Sequence, residues 1–306
     1  MLKKSKNIIN MNKITLKYLK ILITQIILLL VLVSCDIDTN PDDISFNTQN
    51  SLSVIIISSD ISIGSNKIKF AILNIEGNPI INQETKFKGF ISPLEDPKSK
   101  NPISFKWEPW PNAGGVYQSI IDLNSSGYWK ITVLYEEDKN LTGEAIIQVN
   151  ETPQTPGVGK IPPKIHTKTI SKELSLDSIT SDIKPKSELY KSDFYNVLGT
   201  KPIVINFSTP SFCKSGSCSP IIENIKKLSE EFQENIEFIH VEIYDNLKEI
   251  KSSGNINLGK ISQPVKIWRL PSEPWTFLID SSGKIVSKHE GYVEYENLRK
   301  IVSNLK

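Results

Sequence analysis

Ile203-Val204-Ile205-Asn206-Phe207, then Thr209-Pro210-Ser211-Phe212-Cys213-Lys214-Ser215-Gly216-Ser217-Cys218, then Pro220 bring a strand-like run, two cysteines and a helix opener into close succession. The β-branched run reads as a strand. Pro220 pre-sets φ for a first helical turn. Beyond it Ile221, Ile222, Ile225, Leu228 and Phe232 recur at spacings of three and four, the pattern of one helix face. The two thiols therefore flank a strand-to-helix turn. On a continuous helix five positions amount to a rotation of about 500°, which leaves the side chains about 140° apart. They can meet only if Cys213 lies in the loop ahead of the helix, and Gly216 and Pro220 permit that. Cys218 then sits near the helix N-terminus, where the dipole favours a thiolate.

Working outward, Leu189, Tyr190, Phe194, Val197 and Leu198 fit a helical face that ends at Gly199. Residues 236–243 are the next strand, 275–280 another, and a Ser281-Ser282-Gly283 turn leads into 284–289. A last helix is expected over 293–305. The order β-α-β followed by β-β-α resembles the thioredoxin superfamily over residues 186–306. Cys213, Cys218 and Glu273-Pro274-Trp275 carry the likeness. Pro274 falls where that family has a cis-proline facing the active-site sulfurs. More narrowly, Thr-Pro-Ser-Phe-Cys-x4-Cys-Ser-Pro, Phe-Ile-His-Val-Glu and Leu-Pro-Ser-Glu-Pro-Trp are similar to thioredoxin-like bacterial lipoproteins. One departure is the spacing, four residues where the family norm is two. Another is the pair of residues that assist proton transfer, a buried Asp and a Lys: the aligned positions here are Asn206 and His240. Asn cannot act as a base and an imidazole can, while a packed structural His is the plainer reading of the same residue.

Residues 51–150 contain no cysteine and consist of short alternating runs separated by turns such as Glu76-Gly77-Asn78-Pro79 and Asn124-Ser125-Ser126-Gly127. That spacing is expected of an all-β sandwich. Gly115-x-Tyr117 and Gly127-x-Trp129 resemble small Ig-like domains of secreted bacterial proteins. Trp107 and Trp110, in a Pro-rich stretch, form either a binding lip or a cap on the end of the sandwich. Residues 151–185 begin with Pro153, Pro156, Pro162 and Pro163 and read as a Pro-rich linker. Residues 36–50 are polar and read as a flexible stalk.

The first 20 residues hold six lysines and no acid, and an apolar run over 21–33 ends in Leu32-Val33-Ser34-Cys35. A basic start and a run shorter than the roughly 20 residues of a spanning helix make a secretory signal. Met11 precedes an adequate signal as well as Met1 does. Leu-Val-Ser-Cys resembles the bacterial lipobox, which implies lipid attachment at Cys35 and removal of residues 1–35. The whole chain has 36 basic and 34 acidic residues; without that segment 30 face 34, a net charge of −4. Arg269 and Arg299 are the only arginines and the lysines are scattered, so nothing marks a nucleic-acid footprint.

The combined reading is an α/β thioredoxin-like domain behind an Ig-like β-sandwich, tethered by lipid to the outer face of a bacterial cytoplasmic membrane or on the periplasmic and outer-membrane side. It implies a thiol–disulfide oxidoreductase acting on extracytoplasmic protein thiols and disulfides, with Cys213, Cys218, Pro274 and His240 at the site and no cofactor or metal. Two alternatives stay open. One is a non-enzymatic binding lipoprotein with a structural disulfide. The other is copper handling of the Sco type, which needs a His near the cis-proline position; the nearest in sequence are His240 and His289. Cys35→Ser is expected to abolish incorporation of a labelled fatty acid and to release the protein from membranes. Unchanged labelling and fractionation would remove the tether.

Overall fold

A computed structural model describes residues 51–305 apart from 82–85, 113, 139 and 172–173, so Cys35, the signal segment and the stalk lie outside the described residues. Residues 49–306 form one compact unit. Its first half holds eight strands: β1 (Ser53–Ile56), β2 (Gly64–Leu73), β3 (Phe87–Pro93), β4 (Asn101–Ile103), β5 (Lys106–Trp110), β6 (Gly114–Leu123), β7 (Gly127–Tyr135) and β8 (Thr142–Val149). They make two antiparallel sheets, β1-β2-β6-β5 and β4-β3-β7-β8. Period-two alternation drives the packing. Ile68, Phe70 and Ile72 of β2 meet Trp129, Ile131 and Val133 of β7 in one apolar cluster, and Phe87 stands edge-on to Tyr117 with ring centres 5.1 Å apart.

The second half is built on β9 (Ile203–Ser208), β10 (Glu237–Glu242), β11 (Trp275–Ile279) and β12 (Ile285–Glu290), in the order β10-β9-β11-β12. β9 and β10 are parallel, and β11 runs antiparallel to both β9 and β12. A parallel pair needs a crossover, which α3 (Cys218–Phe232) supplies. Every residue of central β9 is buried. Its alternate residues serve two clusters. Val204, with Leu278, packs under Ile221, Ile222, Ile225 and Leu228 of α3. Ile203, Ile205 and Phe207 pack with Phe277 and Trp268 on the opposite face. The final helix α6 (Tyr295–Val302) covers the α3 side through Leu298 and Val302.

The helix expected over 189–198 is interrupted. Ser187–Tyr190 is a 3₁₀ turn and α2 is Phe194–Val197, preceded by a four-residue α1 (Leu176–Ile179). Asp193 causes the break: its carboxylate accepts from the Tyr195 N–H as an N-cap and from the Thr167 N–H at 2.8 Å. The stretch between β10 and β11 carries α4 (Leu247–Ser253) and α5 (Gln263–Ile267), which no apolar period announced.

The two halves share a polar seam. Asp60, its side chain 0 % exposed, pairs with Lys288 of β12 at 2.8 Å and accepts from Gln154 N at 2.7 Å and from Thr155 Oγ1 at 2.6 Å. Burial alone would raise its pKa, but those hydrogen bonds hold it below the ordinary range. Lys69 donates to the carbonyls of Glu290 and Tyr292 at 3.1 and 2.8 Å. Trp110, read as a lip or a cap, is buried against Tyr292 with Lys69 over its ring. Gly291 has φ +75°, and a Cβ there would lie 2.4 Å from the Trp110 ring, so glycine is required twice over. The segment 151–185 is held as well. Thr155, Ile165 and Ile179 are buried, Gly159 donates to Ile285 O at 2.7 Å, and Trp268 Nε1 donates to Pro163 O at 3.0 Å. Asp60→Ala strands a lysine, the N–H groups of Gln154 and Thr155 and the Thr155 hydroxyl, and is expected to cost about 3 kcal/mol in chemical denaturation, with Lys288→Met in the same chain restoring part of it. A loss no larger than that of an exposed Asp would show the seam to be weak.

Candidate functional site

Cys218 opens α3 and is fully buried; Cys213 lies half-exposed in the loop ahead of it. The two are joined as a disulfide with Cα atoms 5.9 Å apart. The loop turns back through Gly216 at φ +67°, where a Cβ would lie 3.3 Å from Asn112 Nδ2 of the sandwich half. Cys213 Sγ is 3.2 Å from Ser215 Oγ, which in turn bonds Ser217 Oγ at 2.7 Å. The Glu273–Pro274 peptide is cis.

The residue ahead of that proline is the one that reaches sulfur. Glu273 Oε2 lies 3.5 Å from Cys218 Sγ and accepts from the Thr209 N–H at 2.7 Å. Cys213, Cys218 and Glu273 bring their donor atoms within 4.8 Å of one another. Burial, with the charge of Glu242 adding to it, pushes the Glu273 carboxyl up to about 8. Glu242, at the end of β10, is pushed to about 7 by burial, against hydrogen bonds from Thr209, Ser181 and Ile243. Thr209 lies between the two carboxyls, its N–H on Glu273 and its hydroxyl 3.3 Å from Ser181 Oγ, whose own N–H donates to Glu242 at 2.7 Å. Among the described residues no salt bridge reaches either acid.

His240 occupies a different place in the same face of the sheet. Its Nδ1 is 2.7 Å from the Tyr190 hydroxyl, and its Nε2 is 3.0 Å from Ser208 Oγ and 3.1 Å from Ser208 O. Burial lowers its pKa to about 4, so the ring is neutral. Ser208 Oγ passes a hydrogen bond to Asn206 Oδ1, and Asn206 Nδ2 donates to Thr276 Oγ1 and Trp275 O. The structure therefore groups Cys213 and Cys218 with Glu273, the neighbour of Pro274, and ties His240 and Asn206 into a satisfied polar strip across β10, β9 and β11. Sequence reasoning passed over Glu273 and Glu242. The signals were there: an acid directly before the proline, and an acid two residues after His240, hence on the same strand face.

No protein-family model matches the chain, and no curated protein does. Among solved structures it is similar to a putative thiol:disulfide interchange protein DsbE from Chlorobium tepidum (13% identity, 49% of this chain and 98% of that one, TM-score 0.34). It is also similar to a putative protein disulfide isomerase from Bacteroides thetaiotaomicron (16% identity, 49% and 90%, TM-score 0.34) and to StoA from Bacillus subtilis (13% identity, 40% and 94%, TM-score 0.29). The second half has the expected order, β-α-β followed by β-β-α, in the sheet β10-β9-β11-β12, with the disulfide at the β9–α3 turn.

An acid whose folded pKa lies above its unfolded value near 4.5 binds more protons folded than unfolded, so its contribution to stability falls as pH rises through that window. In oxidised protein, Glu273→Gln is expected to leave stability near pH 4.5 unchanged and to raise it by about 5 kcal/mol at pH 9, the span from 4.5 to about 8 at about 1.36 kcal/mol per pH unit. Denaturation curves of variant and wild type that stay parallel across that range would mean that Glu273 titrates normally.

Proposed function

We propose that this chain is a lipid-anchored, extracytoplasmic thiol–disulfide oxidoreductase acting on protein thiols and disulfides, with Glu273 as the acid–base group of its dithiol. The observation that carries this reading is the half-buried carboxyl 3.5 Å from the sulfur of the buried cysteine. In reduced protein the Cys213 thiolate, on the accessible side of the pair, attacks one sulfur of a partner disulfide. A mixed disulfide forms and the partner's other sulfur leaves as a thiolate. The Cys218 thiol passes its proton to ionised Glu273. The resulting thiolate attacks Cys213 Sγ, closes the Cys213–Cys218 disulfide and expels the partner's second thiolate. The reverse sequence oxidises a partner dithiol, with protonated Glu273 returning the proton to Cys218.

The magnitudes suit this task. A carboxyl near 8 is close to a free thiol at about 8.5, so the proton moves with little driving force either way, the condition under which acid–base assistance is most effective. An ordinary carboxylate near 4.5 would hold the proton too weakly. His240, neutral with its nitrogens engaged by Tyr190 and Ser208, serves the reading better as a strut under β9 than as the base. The sandwich, read as Ig-like, steadies the site from the other side. Ser59 donates to Ser272 Oγ at 3.1 Å, one residue from Glu273, and its N–H donates to Glu290 at 2.8 Å. Cys35 would carry the lipid and 36–50 the reach from the membrane.

Cys218→Ser is expected to accumulate a mixed disulfide through Cys213 with extracytoplasmic proteins, and Cys213→Ser to abolish reduction of a model disulfide. Glu273→Gln is expected to slow turnover near pH 7 by about 10²-fold, the lower end for acid–base assistance, while His240→Ala lowers stability more than rate. Full turnover in Glu273→Gln would dismiss the carboxyl. No exchange by wild type would leave a structural disulfide in a binding lipoprotein.

A further inference from the structure

We propose that the reduced protein binds a divalent cation of the zinc class through Cys213 Sγ, Cys218 Sγ and the Glu273 carboxylate, a site that closes whenever the disulfide forms. The inference goes beyond thiol exchange and needs only that the disulfide can be opened. Among the described residues these three are the group of potential ligands whose donor atoms converge, all within 4.8 Å.

The spacing fits the ion. With Zn–S near 2.3 Å and Zn–O near 2.0 Å, a tetrahedral site has an S···O edge of about 3.5 Å and an S···S edge of about 3.8 Å. The first edge already stands between Cys218 Sγ and Glu273 Oε2, at 3.5 Å. The second requires the sulfurs to part, which reduction does and which Cα atoms 5.9 Å apart allow. Cys213 is half-exposed on a loop whose next two residues are exposed, which leaves a fourth position for water. The Thr209 N–H on Glu273 Oε2 fixes the carboxylate as a second-sphere partner does.

The charges also fit. Glu273 is a half-buried acid beside a buried one, Glu242, and no cation pairs with it among the described residues. A bound divalent ion supplies that missing positive charge. The donor set separates candidate ions. Calcium and magnesium take oxygen ligands and reject a dithiolate. Cu(I), soft and content with thiolates, has no need of the carboxylate. Zinc uses all three. The chemistry balances: a dithiol or phosphine reductant delivers two electrons, opening the S–S bond to two thiols with two protons from solvent. Binding then displaces both thiol protons, and any proton on Glu273, to the buffer.

The test uses full-length protein reduced with a phosphine under anaerobic conditions. It is titrated with Co²⁺ to read the thiolate-to-metal charge-transfer band, and with Zn²⁺ against a chromophoric chelator. Expected are one ion per chain, binding at least about 100-fold weaker in the oxidised protein, and loss of the band in Cys213→Ser or Cys218→Ser. Glu273→Gln, checked for native circular dichroism, should weaken Zn²⁺ by at least about 10-fold while leaving Cu(I) binding unchanged. X-ray absorption of the wild-type zinc complex should count two sulfur ligands and at least one oxygen, whatever the fate of the variant. Absence of the band in reduced wild type, equal Zn²⁺ affinity in folded Glu273→Gln, or a shell with no oxygen would overturn the site. Exchange activity enters none of these readouts, so the two proposals fail separately.

Discussion

Glu273 holds a half-buried carboxyl 3.5 Å from Cys218 Sγ, against the desolvation that pushes it up to about 8. Much of the second half is arranged around that placement. β11 pairs antiparallel with β9, which sets the loop 271–274 beside the β9–α3 turn. Thr209, first in that turn, gives Glu273 its one backbone hydrogen bond among the described residues. α3 begins at Cys218 itself, so the buried sulfur is placed by the helix while half-exposed Cys213 lies on the loop ahead of it. One sulfur is thereby held against an acid and the other left open to a partner, an asymmetry that suits both thiol exchange and the reduced-state metal site.

The sheet face under α3 carries two kinds of polar group. Asn206, Ser208, Thr276, His240 and Tyr190 form a closed network in which each buried group has a partner, which avoids the cost of an orphaned donor or acceptor. Glu273 and Glu242 have hydrogen bonds and no counter-charge. Groups left in that state have shifted titration and cluster at functional sites.

Much of this fold was legible in the sequence. The β-branched run 203–207, the apolar period after Pro220 and the strand preceded by Glu273-Pro274 each follow from local pattern, and each element appears within a few residues of its expected bounds. The loop position of Cys213 followed from helix geometry. Less legible was whatever depends on partners distant in the chain. Asp193 breaks a plausible helix because Thr167 meets it across a turn. Trp110 and Lys69 read as sandwich residues, yet they close on Glu290, Gly291 and Tyr292, some 180 to 220 positions later. Glu273 was passed over for a related reason. Its pKa is set by burial and by Glu242, and neither is visible in Glu-Pro-Trp read as a string.

The sandwich half is thereby more than a spacer. Ser59 reaches Ser272 and Glu290, and Asp60 holds Lys288. The first of these contacts braces the loop that carries Glu273. The most direct measurement is the reduction potential of the Cys213–Cys218 pair, taken by equilibration of wild-type protein with glutathione or dithiothreitol buffers. An exchange-active pair is expected above about −300 mV. A value below that, in the range of structural disulfides, would contradict a catalytic dithiol at this site.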